Sequence, residues 1–234
     1  MLSEYQQFFT GRPTIAIAQD LLGKLVTYDG PDGKTGGYIV ETEAYLGEND
    51  SASHAFNGRR TGYSESLYGQ PGDIYLYQIR GHYCFDIVVQ DPNEPQGILL
   101  RGIEPAIGTD LMAAHRKMGG VNITNGPGKL VQALGIHSRS LDGRPMETSP
   151  LRVDLEHFKI PREIITTQRI GVNMQGKDGA KPQRFIVAGN PYVSGIRKRM
   201  MDLEKHGWKD WLHGIDISTT TDGSSPGPAG GECS

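Results

Sequence analysis

The chain has 234 residues, 36% of them hydrophobic, two cysteines and a formal net charge of −3. That length suits one large domain with a substantial core, and a mean hydropathy of −0.44 comes with no run long enough to span a membrane. Cys84 and Cys233, far apart among scattered histidines, argue against a disulfide framework and make no recognisable metal site.

The start, MLSEYQQFF, lacks the basic and apolar regions of a secretion signal. A protein free of membranes and working in the cytoplasm is therefore the expectation. Charge is uneven: residues 1–150 carry 12 basic and 17 acidic side chains, residues 151–234 carry 12 and 10. Binding to DNA, if present, must use a local basic patch.

In chain order, residues 13–22 read as a short helix with Pro13 in its first turn and Gly23 after its last. KLVTYD (24–29) and GYIVETEAYL (37–46) form a hairpin across an Asp-Gly turn. Residues 48–73 are polar and glycine-bearing, with a helical turn expected at 51–54; a long irregular stretch inside a domain is more often functional than idle. A second hairpin pairs 73–79 with 82–89 around Arg80-Gly81, and a third apolar strand spans 97–105. Helices are expected at 109–117 and 127–134, short strands in 150–200 including 184–189, and a basic helix at 194–205. Residues 218–234, rich in Ser, Thr, Gly and Pro, read as a disordered tail, leaving 1–217 as the folded domain. The fold class is α+β: a single mixed domain with a curved, mainly antiparallel sheet flanked by helices.

Residues 39–54, IVETEAYLGENDSASH, hold the most unusual pattern. Strand alternation puts Val40, Thr42, Ala44 and Leu46 on one face and Ile39, Glu41, Glu43 and Tyr45 on the other. An edge strand whose acids discourage aggregation accounts for that face as well as a site does. Three other features are candidate partners. Tyr45, Tyr75, Tyr77 and His54 suit the walls of a slot for a planar ligand, though tyrosines also simply favour strands. Arg101, alone among apolar neighbours, is either exposed or paired with Glu41 or Glu43. Asn125–Lys129 opens a helix in a way that suits a phosphate, but it lacks the GxxxxGK(S/T) spacing of a P-loop. Arg59, Arg60 and Thr61 offer a further phosphate grip or a solvated surface cluster. Cys84 reads as a buried thiol.

The blocks IVETEAYLGENDSASHA, GRRT, PGDIYLY, ILLRGIEP, NGPGKLVQALGI and KPQRF occur in the order found in the alkyladenine (3-methyladenine) DNA glycosylase family, which the chain resembles from about residue 13 to about 193. The resemblance implies a base-excision repair enzyme, without metal or cofactor, acting as a monomer on double-stranded DNA that contains damaged purines. It implies that the base is flipped into a pocket, where Glu43 activates water against C1′ with Arg101 and the Val172 carbonyl beside it. Tyr45, His54 and Tyr77 would hold the base, and Asp86 stands where the family commonly has an asparagine that helps reject guanine. Arg59, Arg60, Thr61, Ile79, Arg80, His82, Tyr83 and Lys129 would face DNA. The tip of the second hairpin departs from the family: QIRGHYCF is one residue shorter and carries Ile79 or Arg80 where a wedging tyrosine is usual. A non-catalytic lesion binder and a hydrolase of free nucleosides or nucleotides remain the alternatives.

Overall fold

A computed structural model describes residues 1–173 and 176–209; the tail expected at 218–234 lies outside these residues. Two short helices, α1 (Glu4–Phe8) and α2 (Thr14–Asp20), precede the hairpin of β1 (Lys24–Gly30) and β2 (Gly33–Tyr45). β3 (Ile74–Ile79), β4 (His82–Val89) and β5 (Gln96–Ile107) follow, then α3 (Thr109–Arg116) and α4 (Pro127–Leu134), and finally β6 (Leu151–Phe158), β7 (Ile164–Thr167) and β8 (Arg184–Val187). The strands form one antiparallel sheet in the order β3-β4-β5-β2-β1-β6, with β8 joined to β2 and β7. No helix among the described residues is long and apolar enough to cross a membrane.

β2 is the axis of this sheet. Along one edge it pairs with β5 from Gly36 to Tyr45, interrupted by a bulge; along the other its first half meets β1 and residues 41–43 meet β8. Both edges are thus hydrogen-bonded where the two glutamates stand, so these side chains are enclosed rather than displayed on a sheet margin. One sheet face carries the main core: Val40 and Ala44 of β2, Ile98 and Leu100 of β5, and Phe85 and Ile87 of β4 pack with Ile17 of α2 and Leu130 and Leu134 of α4. Thr42, on the same side, donates its hydroxyl hydrogen bond to the Ala18 carbonyl. The opposite face carries a smaller cluster of Tyr75, Tyr77, Cys84, Val88 and Leu99, with Tyr45 against it.

Strict alternation fails at two places near the acids. Register shifts between Ile39 and Thr42 leave Val40 and Arg101 as extra residues on facing strands. Ile39 therefore joins Val40 in the main core rather than sharing the acid face. Bulges re-aim side chains, and this one turns Arg101 between Glu41 and Glu43. The expected basic helix at 194–205 is instead a series of turns with one 3-10 turn at Lys198–Met200. Gly195 sits at φ +71, and the Asp202 carboxylate accepts from the backbone N–H groups of Glu204, Lys205 and Gly207, a local competitor that disfavours helix. The segment 48–73 holds 3-10 turns at Phe56–Gly58 and Glu65–Tyr68, and the turns at 51–54 do not make a regular helix.

Candidate active site

Over the aromatic face of the sheet lies a cleft of about 690 Å³. Its floor comes from β3, β4 and β5 through Tyr77, Cys84, Asp86, Leu99 and Arg101; its walls come from 51–54 and 170–173. Its mouth is formed by Ile79, Arg80 and His82 of the second hairpin facing Gly126–Lys129. That approach depends on Gly128, where a Cβ would stand 2.8 Å from the His82 Cβ.

At one end of the cleft the acids and Arg101 form a buried network. Glu41 and Glu43 have no exposed surface. Arg101 Nε donates to Glu41 Oε1 at 2.8 Å and Nη1 to Glu43 Oε2 at 3.2 Å. Glu41 also accepts from Arg184 Nε at 2.7 Å and from both the hydroxyl and backbone N–H of Ser194. Burial pushes the Glu41 carboxyl up, but Arg101, Arg184 and Ser194 outweigh it and hold the group below the usual range. Glu43 accepts from the Tyr45 hydroxyl at 2.8 Å and from the Ile170 backbone N–H at 2.7 Å. For Glu43 burial wins over Arg101 and these two donors, so its carboxyl titrates above the usual range. Of the two acids, the one that titrates high is Glu43.

Glu43 is not itself part of the cleft lining; Tyr45, Arg101 and Ile170, its three donors, are. The loop that brings Ile170 is fastened by Arg169, which makes a buried two-pronged pair with Asp50 and donates to the carbonyls of Ala44 and Asp178. Its guanidinium also lies 4.8 Å from the Tyr45 ring centre. Val172, two residues on, lines the cleft.

The aromatic wall is equally ordered. Tyr75 and Tyr77 stack at 4.7 Å, and His54 meets Tyr77 edge-on at 4.9 Å. His54 Nδ1 and the Tyr75 hydroxyl share a hydrogen bond of 2.8 Å. Burial, with Arg59 nearby, lowers the His54 pKa, so the ring is neutral at pH 7. Tyr77 donates to Asp86 Oδ1 at 2.8 Å, and burial pushes the Asp86 carboxyl up to about 7. Cys84 is a buried free thiol pushed up to about 12, no nucleophile at neutral pH.

The other sequence candidates separate into two groups. Ile79, Arg80, His82 and Lys129 stand at the mouth, with Lys129 Nζ 2.8 Å from Asn125 Oδ1. Tyr83 is half-buried against the main core. Arg59, Arg60 and Thr61 lie outside the cleft lining. Arg60 is held by Glu65 and Asn93 over the Tyr68 ring, and Thr61 caps its own turn through Ser64. Arg80 and Gly81 have φ of +50 and +82, the positive values that a two-residue hairpin turn of the primed type requires.

Sequence reasoning did not single out Arg184, Ser194, Arg169 or Asp50, and these complete the acid network. Among the described residues no group of three or more His, Cys, Asp or Glu is placed to hold a metal ion.

Residues 7–191 match the model of the methylpurine-DNA glycosylase family. The chain belongs to this family. A Latilactobacillus sakei protein named "Putative 3-methyladenine DNA glycosylase" is 52% identical over 202 residues, covering 86% of this chain and 95% of its own length. Proteins of the same printed name from Lactobacillus delbrueckii subsp. bulgaricus and Enterococcus faecalis are 47% and 41% identical, covering 88% and 89% of this chain and 99% and 91% of their own lengths. The chain is accordingly a DNA N-glycosylase of base-excision repair, a hydrolase of the bond between base and sugar. In this glycosylase the aromatic slot and the buried acid network adjoin at one cleft.

Proposed function

We propose that this glycosylase flips alkylated or deaminated purines, of the 3-methyladenine, 7-methylguanine, hypoxanthine and ethenoadenine type, out of duplex DNA and hydrolyses their glycosidic bonds. The observation that carries the reading is the junction of Glu43 and Arg101 with a cleft walled by Tyr45, His54 and Tyr77. The slot suits a purine between π-faces, each stacked base contributing roughly 1–3 kcal/mol. A purine with alkylated ring nitrogen carries positive charge that those faces attract and that makes it a good leaving group.

The sugar then moves toward an oxocarbenium ion. A water molecule between Glu43, Arg101 and the Val172 carbonyl forms the new bond to C1′ as the bond to the base breaks. Glu43, ionised, takes the proton from that water and stabilises the developing charge. Since Glu43 now lies behind Tyr45, the incoming base must draw the Tyr45 ring onto its own face and release Oε2. At the mouth Ile79 is the apolar wedge for the gap in the duplex, and Arg80, His82 and Lys129 face phosphates. Among the described residues, the only lysine of the cleft lining is Lys129 at the mouth, so the reaction has no amine nucleophile at the sugar and ends at an abasic site. The protein acts as a monomer in the cytoplasm.

Incubation with duplexes bearing each lesion tests this reading. Base release from at least one, with the strand intact and no adduct trapped by borohydride, is expected. Tight binding with no release in a single turnover would favour a non-catalytic lesion binder. Release from free nucleosides, with duplex affinity independent of salt, would favour a small-ligand hydrolase.

A further inference from the structure

The hairpin of β3 and β4 carries Ile79 and Arg80 to the mouth of the cleft, and little of the sheet supports it there. β3 is a marginal strand, and β4 pairs with β5 only from Asp86 to Val89. The tip end of the hairpin is therefore a two-stranded ribbon. Such ribbons twist strongly and are marginal in isolation, whereas a wedge that parts stacked bases must hold its direction against a few kcal/mol per step.

The outer edge of β3 shows what holds it. Ile74 exchanges backbone hydrogen bonds with Gly143 and Arg144 at 2.7 and 2.9 Å, and Asp142 Oδ1 accepts from the Leu76 N–H at 2.9 Å. At Gln78, the last outward position before the tip, one side chain takes the place of a neighbouring strand. The Tyr63 hydroxyl accepts from the Gln78 N–H and donates to the Gln78 carbonyl, each at 2.5 Å. A hydroxyl can satisfy both groups because it is donor and acceptor at once.

Tyr63 is itself firmly mounted. Ser64 closes its turn, donating from its N–H to the Thr61 carbonyl at 2.9 Å and accepting the Thr61 N–H at Oγ. The Arg139 guanidinium stands 4.8 Å from the Tyr63 ring centre and donates to the Tyr63 carbonyl at 3.3 Å. Arg139 also pairs with Asp142, the residue that holds Leu76. On the β4 side the start of α4 abuts His82 through Gly128. Tyr63 is 41% exposed and is not part of the cleft lining, so its contribution to the core is small and its contribution to direction is large.

We infer that Tyr63 is a positioning residue for DNA engagement, whose hydroxyl holds the end of β3 in line so that the tip enters the duplex at the flipped nucleotide. The inference rests on the reading of the tip as a wedge and adds the group that aims it.

The test compares hypoxanthine opposite thymine with hypoxanthine in a one-nucleotide bulge, where no facing base has to be kept apart from its neighbours. Release in single turnover and affinity by fluorescence anisotropy are measured for wild type, Tyr63→Phe and Ile79→Ala. Tyr63→Phe keeps the ring on Arg139 and removes the hydroxyl, and amide exchange at Gln78 should quicken while that at Ile74 does not. The paired-to-bulged ratio should fall in Tyr63→Phe by about two- to tenfold, the factor expected for one hydrogen bond. If it falls there and in Ile79→Ala, the inference and the wedge assignment both stand. If it falls in Tyr63→Phe alone, the inference stands and the wedge is Arg80. A ratio unchanged in Tyr63→Phe, including an equal loss on both substrates as a purely structural role would give, overturns the inference whatever Ile79→Ala does. If no protein releases base, the hydrolytic reading falls and the ratio of affinities decides the inference by the same criteria.

Discussion

Glu41 and Glu43 stand two positions apart on one strand, share Arg101 and have no exposed surface, yet the two ends of their network differ. Around Glu41, two guanidinium groups and two donors from Ser194 converge, and the carboxyl is held ionised. Around Glu43 there is a share of one guanidinium, a tyrosine hydroxyl and one backbone N–H, and the carboxyl is pushed up by burial. Equal burial thus leaves opposite proton affinities, because the number of cations decides the balance. An acid enclosed by cations is a fixed anchor. One with fewer partners is ready to accept a proton, which is what a general base needs.

The largest expected effect comes from removing that proton acceptor. Glu43→Gln should lower base release by about 10²- to 10⁴-fold in single turnover, with lesion binding retained; activity near the wild-type level would move the base role to Glu41.

Next comes the anchor. Glu41→Gln leaves Arg101 and Arg184 buried with one countercharge fewer, and chemical denaturation should show a loss of about 3–5 kcal/mol, the usual consequence of breaking a buried pair. In the surviving folded protein Arg101 is no longer shared and the like charge is gone, so Glu43 should titrate lower and the acid limb of the pH–rate profile should move down. A limb that stays in place would show that Arg101 does not set the Glu43 proton affinity.

A third measurement concerns stability against pH. Asp86 is raised in the folded protein from 3.8 to about 7, so its contribution is fully present below about 4 and is lost as pH rises through about 7. Asp86→Asn should therefore melt higher than the wild type at pH 8, and the gap should shrink as pH falls toward 5. A gap that is constant with pH would mean that Asp86 titrates normally.

The smallest effect lies at the surface and contrasts the mouth with the flank. Lys129→Ala should weaken duplex binding and reduce the slope of log affinity against log salt by about one. Arg60→Ala should leave that slope unchanged, since Arg60 is already occupied by Glu65 and Asn93 away from the cleft. Equal changes in both would place the DNA track along the flank as well.

Much of the fold is legible in the amino-acid order alone. Both hairpins, the β5 strand, and the helices at α2, α3 and α4 follow from apolar period and turn residues, and they occur within a residue or two of the expected places, apart from strand extensions such as the start of β2 and the end of β5. The lysines and arginines of 194–205 resemble a helix face, but Asp202 and Gly195 bend the chain locally there and no helix forms. The contest over Arg101 has no answer in sequence, because a lone Arg among apolar neighbours reads the same whether it points out or in.

Strand alternation outside the bulge at residues 39–42, the two-residue tip at Arg80-Gly81 and the aromatic pattern are local properties, and the sequence by itself determined them together with the family they mark. Which glutamate carries the high proton affinity was decided only by the tertiary structure. The deciding groups are the Ile170 N–H, Arg184 and Ser194, which reach β2 from more than a hundred residues away along the chain. Two of these three contacts begin at backbone or hydroxyl groups in irregular segments, which leave no period to read. Electrostatics at a buried site depends on what surrounds it in space, and only folding brings those groups together.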